Sequence, residues 1–110
     1  MSFTKWDVVI VPFPFTDKPV VRRRPALVLS AAAWNAATRS VVCAMISSAA
    51  RSVWAGDVAV RDLATAGLRA ACVVRMKLFT LEAALVVERA GTLGEADRVG
   101  VGAALAGVFA

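Results

Sequence analysis

The apolar residues of this chain come mostly in short β-branched runs, each stopped by proline, glycine or charge, and only the last segment repeats at helical spacing. Such runs support strands of about 4–8 residues. Asp7 to Phe15, "DVVIVPFPF", is the first. Pro12 and Pro14 donate nothing to a ladder, so this strand must bend or lie at an edge. Thr16 to Arg24, "TDKPVVRRR", reads as a polar loop, and Pro25 to Ser30 as a short strand with proline at its first position. Ala31 to Arg39 reads as a loop with at most one helical turn. Ser40 to Ser48, "SVVCAMISS", is the next strand, and Gly56 to Arg61, "GDVAVR", alternates like another. Asp62 to Leu68 fits one helical turn, with Asp62 as N-cap and Gly67 as the stop. Ala71 to Met76 is a strand, Phe79 to Leu85 takes no clear form, and Leu85 to Leu93 reads as a further strand with Gly91 as its ending.

Beyond it the period changes. Thr92 and Glu95 have the T-x-x-E spacing of a capping box. Val101, Leu105, Val108 and Phe109 follow at helical spacing. Gly100, Gly102 and Gly107 each weaken that helix by roughly 1 kcal/mol relative to alanine, so it depends on packing against the strands. Short strands followed by one closing helix imply a mainly β domain, a small and strongly bent sheet or barrel. At 110 residues, with no linker, repeat or low-complexity tract, the expectation is one domain over 1–110.

Composition narrows the chemistry. Hydrophobic residues make up 59% of the chain and charged ones 19%. Such an apolar balance in a small domain suggests that a partner or a second copy covers part of the surface. The uncharged stretches Val8 to Thr16 and Pro25 to Thr38 fall short of the roughly 20 apolar residues a membrane span needs. "MSFTKWDVV" has no basic region followed by an apolar one, so a cytoplasmic protein is expected. Cys43 and Cys72 sit inside apolar runs and read as buried free thiols. The chain has no histidine, which removes the commonest acid–base side chain and the commonest metal ligand. With two distant cysteines and scattered carboxylates no metal-ligand spacing remains, so no metal and no cofactor are expected.

The net charge of +5 lies entirely in the first half: residues 1–55 carry seven basic and two acidic groups, residues 56–110 six of each. That asymmetry suits a polyanionic partner. Its centre is Arg22-Arg23-Arg24, running straight into "PALVLS". Solvated loop charge is the plain explanation. The alternative is a phosphate site, because a guanidinium binds phosphate bidentately, and the mouth of a strand places it rigidly.

The order "DVVIVPFPFTD", "RRRPALVLS", "MISS", "WAGDVAV" and "AGLRAACVVRMKLFTLE" resembles the MazF/PemK family of toxins from type II toxin–antitoxin systems, from about Asp7 to Glu82, and the tail to Phe109 fits that family's closing helix. The resemblance implies a small SH3-like (PemK/CcdB-type) barrel with short helical turns and a C-terminal helix. It implies a homodimeric, metal-independent endoribonuclease acting on single-stranded RNA. In that reaction the ribose 2′-OH attacks the adjacent phosphate, giving a 2′,3′-cyclic phosphate and a 5′-OH end. The implied partner is an acidic antitoxin, with operator DNA contacted only through the antitoxin complex.

Carried over by position, Arg24, the arginine before Pro25, is the catalytic residue, stabilising charge on the pentacoordinate phosphate. Its high pKa makes it a poor general base, so the group that takes the 2′-OH proton stays open. Arg22 and Arg23 become secondary phosphate contacts, and Thr16 closes the motif V-x-F-x-x-T at the RNA-binding loop. The family's threonine at the end of the next strand is Ser47 here, which keeps a hydroxyl but loses the methyl that restricts χ1. Arg75 matches an arginine that lies near RNA in relatives; a structural ion pair is its other reading. Where some relatives carry an acid two positions later, this chain has Lys77. Phe15 and Trp54 are candidates for stacking unpaired bases, while Trp6, Trp34 and Phe79 read as structural. Two other readings share the scaffold. One is a toxin that binds DNA gyrase, a group that relies on a tryptophan-containing tail where this chain ends "LAGVFA". The other is an inactive RNA-binding or autoregulatory relative, which the Ser47 and Lys77 departures keep open.

Overall fold

The computed structural model describes residues 2–13, 22–49 and 53–110. Its elements run β1 (Asp7–Phe13), β2 (Arg22–Val28), α1 (Ala32–Thr38), β3 (Ser40–Ser48), β4 (Val58–Ala59), α2 (Leu63–Ala66), β5 (Cys72–Glu82), a 3₁₀ turn (Ala83–Leu85), β6 (Glu88–Thr92) and α3 (Glu95–Phe109). The strands form one antiparallel sheet in the order β4-β5-β3-β2-β1-β6, curled into a half-barrel. The mainly β architecture with a closing helix is therefore the one expected. Among the described residues no helix is long and apolar enough to cross a membrane.

Alternation along the central strands sends neighbouring residues to opposite faces. Val8, Leu27, Ala44, Ile46 and Val74 join Leu93 and Val101 in a core under α2 and α3. Val9, Val11, Ala26, Val28, Val41 and Cys43 join Phe3, Leu81 and Val86 in a second core on the other face. Strands covered on both faces read as continuous apolar runs. This two-sided burial absorbs much of the apolar excess that the composition assigned to a partner. Trp34, Trp54, Val108 and Phe109 remain exposed.

The two described prolines, Pro12 and Pro25, sit where their strands have one neighbour. β6 pairs with β1 only as far as Ile10, so Pro12 is flanked by β2 alone, opposite Arg23. β3 pairs with β2 only from Ala26, so Pro25 is flanked by β1 alone. β1 is thus interior at its start and an edge at its end, not an edge throughout. Pro14 lies outside the described residues.

Several boundaries differ from expectation. β2 begins at Arg22, so the arginine triplet is strand and not loop, and Pro25 is internal to it. Ala32–Thr38 forms a full short helix rather than a single turn; Arg39 ends it in the left-handed region (φ 55°). β4 shrinks to two residues, while β5 continues through the segment left open, to Glu82. The expected Asp62 cap forms, accepting from the Thr65 N–H, and Gly67 ends the turn at φ 71°.

The capping box does not form. Thr92 belongs to β6 and donates its hydroxyl to the Trp6 carbonyl, while Gly94 is the N-cap of α3 and offers no side chain. The first turn is tied down instead by Asp97. Its buried carboxylate accepts from the N–H groups of Arg61, at 3.0 and 3.1 Å, and Asp62, at 3.0 Å. The apolar spacing of α3 is used only in part: Val101 is buried, but Val108 and Phe109 are exposed.

Candidate nucleic-acid interface

Strand pleating divides the arginine triplet. Arg24 pairs with Val11 and Arg22 with Phe13, and these share the face of the second core; Arg23 pairs with Pro12 and belongs to the opposite face. The guanidinium carbon of Arg24 lies 5.9 Å from the Phe13 ring centroid. Its Nε is buried and has no hydrogen-bond partner among the described residues. A buried donor left unpaired costs free energy, so this one is available to an acceptor that is brought to it.

The β2–β3 ladder runs Ala26↔Met45, Leu27↔Ala44 and Val28↔Cys43. Continued two steps past Ala26, the same register sets Ser47 across from Arg24. Ser47 is buried and Ser48 exposed, as alternation at the end of β3 requires. Across the next ladder Ser47 pairs with Val73 and Met45 with Arg75, so Arg75 shares this face too. A bulge in β5 between Arg75 and Leu78 holds Met76 and Lys77 without partners in that ladder. Arg24 and Arg75 are two strand spacings apart across the sheet and two residues apart along it, roughly 12 Å in all.

Arg75 is engaged. Its Nε donates to Asp57 Oδ1 at 3.1 Å and its Nη2 to Oδ2 at 2.9 Å, a bidentate pair with both side chains nearly buried. Extension of the Val58↔Val74 register by one step puts Asp57 opposite Arg75. The ion-pair reading of Arg75 thus describes its geometry. The sequence reading passed over Asp57; its only signal was an acid beginning the alternating stretch "DVAV". Asp57 also accepts from the Trp54 N–H at 3.0 Å and returns its own N–H to the Trp54 carbonyl at 3.1 Å. Trp54 is 42% exposed, with Lys77 Nζ 4.4 Å and the Arg75 guanidinium carbon 5.9 Å from its ring centroid. Lys77 is exposed. Phe15 and Thr16 lie outside the described residues.

The Arg75 guanidinium, by hydrogen bonding first, holds the Asp57 carboxyl below its ordinary value of 3.8. A depressed carboxylate contributes stability above the unfolded-state pKa and loses it as pH falls through the folded one. Asp57→Asn is accordingly expected to lower the thermal midpoint at pH 7. The gap from wild type should close on acidification below about pH 4, checked by thermal unfolding across pH. A gap that stays constant with pH would show that the pair does not act through its charge.

Of the two cysteines expected to be buried, Cys43 is buried and Cys72 only half-buried. Burial pushes the Cys43 thiol up to about 12 and raises Cys72 as well, and both are free. Among the described residues no group of His, Cys, Asp and Glu is placed to hold a metal ion.

The fold is shared with MazF toxins. A MazF from Deinococcus radiodurans superposes with TM-score 0.77 at 20% identity, over 99% of this chain and 97% of that one. An endoribonuclease from a mycobacterial species, solved in complex with its cognate antitoxin, gives 0.75 at 18%, over 98% and 93%. The Mycobacterium tuberculosis toxin MazF-mt6 gives 0.73 at 23%, over 94% and 95%. Comparison with curated protein sequences finds no match. The likenesses define a MazF-type half-barrel, and the sequence goes further. Residues 4–109 match the family model of PemK-like, MazF-like toxins of type II toxin–antitoxin systems, and the chain belongs to that family.

Proposed function

We propose that this toxin is a metal-independent endoribonuclease that cuts single-stranded RNA, with Arg24 and Ser47 at the scissile phosphate. The observation that supports this is the shared face. Arg22, Arg24, Ser47 and Arg75 line one side of the sheet at the end of the β2–β3 ladder, and a donor of Arg24 is buried without a partner among the described residues. The 2′-oxygen attacks phosphorus and the bond to the 5′-oxygen breaks. One proton leaves the 2′-hydroxyl and one reaches the 5′-oxygen. Arg24 neutralises the charge that gathers on the non-bridging oxygens, and the Ser47 hydroxyl donates to one of them. Arg22 and Lys77 add positive charge on either side. Arg23, on the other face, serves long-range attraction rather than contact.

The partner reading follows from the same face. Solved MazF-type neighbours include complexes with a cognate antitoxin, one of them from Deinococcus radiodurans. An acidic antitoxin segment laid across this strip would compete with RNA for Arg24. A homodimer would draw on the exposed apolar residues Trp34, Val108 and Phe109.

Purified protein is expected to cleave a mixed single-stranded RNA in excess EDTA and to leave 2′,3′-cyclic phosphate and 5′-OH ends, identified by end-labelling before and after phosphatase treatment. Full loss of cleavage in EDTA, or 5′-phosphate ends, would refute the mechanism. RNA left intact by a protein that traps gyrase would replace it with the other toxin reading.

A further inference from the structure

The structure assigns a second nucleotide position to this face: Trp54 stacks one unpaired base, Lys77 holds the adjoining phosphate, and Asp57 is the positioning residue for both. This inference rests on the RNA reading above and adds to it a division of labour that the sequence did not contain.

Four observations converge. The Trp54 ring is part-exposed, with cationic groups at 4.4 and 5.9 Å from its centroid. An indole beside cations suits a base whose phosphate lies next to it, because stacking and charge neutralisation are then met together. The two cations are unequal. Arg75 spends Nε and Nη2 on Asp57 and is nearly buried, whereas Lys77 is exposed on a flexible stem in the β5 bulge. Lys77 can therefore leave the ring for a phosphate, and Arg75 cannot. Finally, one carboxylate ties the parts together. Asp57 receives the Arg75 fork from β5 and the backbone N–H of Trp54, and its own N–H closes the turn back on the Trp54 carbonyl. The loop bearing the indole is thus hung from β5 by Asp57. Without that tie the ring keeps its chemistry but loses its place, and a displaced platform must be reordered on every binding event.

The test uses the intact protein and 2′-O-methyl RNA 12-mers of randomised sequence, which lack the attacking hydroxyl, with affinity read by anisotropy. Trp54→Ala should weaken binding by about 5-fold or more without changing the salt dependence. Lys77→Ala should reduce the slope of log affinity against log salt by about 0.7. Asp57→Asn should weaken binding like Trp54→Ala, and the double variant should be no worse than Trp54→Ala alone, since both remove one platform. Trp54→Phe should recover most of the affinity. On a cleavable RNA these variants should raise KM and leave kcat near wild type. Circular dichroism and thermal unfolding identify any variant that has lost its fold, and because Trp54 and Lys77 are exposed their variants carry the test if Asp57→Asn does not fold. Wild-type affinity in Trp54→Ala, additive losses in the double variant, or a fall in kcat at constant KM for Asp57→Asn would each overturn the assignment. Wild type that cleaves RNA while Trp54→Ala binds normally sinks this inference alone. Wild type that binds the 12-mers but cuts nothing sinks the nuclease reading alone.

Discussion

Arg24→Ala should lose cleavage by about a hundred- to a thousand-fold in kcat, the scale on which one preformed transition-state donor acts. The same variant should keep its fold, with a thermal midpoint equal to or above that of wild type. The second half of this expectation comes from the orphaned donor. Arg24 Nε is buried without a partner among the described residues, so its removal relieves a desolvation cost and breaks no hydrogen bond at that atom. A structural arginine behaves in the opposite way, losing stability first and activity only as a consequence. Arg24→Lys should be nearly as slow as the alanine variant, because an ammonium keeps the charge but not the planar fork. Initial rates on single-stranded RNA in EDTA, read beside thermal unfolding of the same samples, decide it. Cleavage retained within a few-fold in Arg24→Ala would move the chemistry elsewhere on the face.

Gly91→Ala should cost about 3 kcal/mol and lower the thermal midpoint by roughly 10–20 °C. A Cβ at Gly91 would stand 2.4 Å from the Thr65 carbonyl oxygen and 2.6 Å from the Ala66 carbonyl carbon. The contact is reciprocal: a Cβ at Gly67, itself at φ 71°, would stand 2.2 Å from the Ala90 carbonyl oxygen. Both obstacles are backbone, so no side chain can swing aside. The end of α2 and the strand β6 touch main chain to main chain. Gly102→Ala provides the control, since nothing lies within 4 Å of its Cβ and α3 should gain up to about 1 kcal/mol there. Equal midpoints for the two variants would mean that the α2–β6 contact yields easily.

These two residues also mark how far the sequence could be read. Arg24 stood out as a candidate because proline fixes its neighbour, charge is concentrated there, and the order of motifs resembles one family. Gly91 was legible only as a strand ending, since glycine looks the same whether it stops a strand or admits a neighbour. β3 was found from Ser40 to Ser48 because a β-branched run flanked by serines leaves little choice. The capping box at Thr92 failed for the converse reason: the spacing was present, but a strand had already claimed the threonine for the Trp6 carbonyl.

By itself the sequence determined the mainly β class with its closing helix, the family, and the placing of positive charge at the start of "PALVLS". Those are properties of composition, local period and motif order, which survive without any knowledge of neighbours. Only the tertiary structure decided which arginines share a face. Pleating in register turns Arg22 and Arg24 to one face and Arg23 to the other. Two ladders bring Ser47 and Arg75 to that same face, and one step past a third sets Asp57 against Arg75 from 18 residues away. Strand pairing is a long-range choice, so a side chain's face and its partner across the sheet are fixed by register.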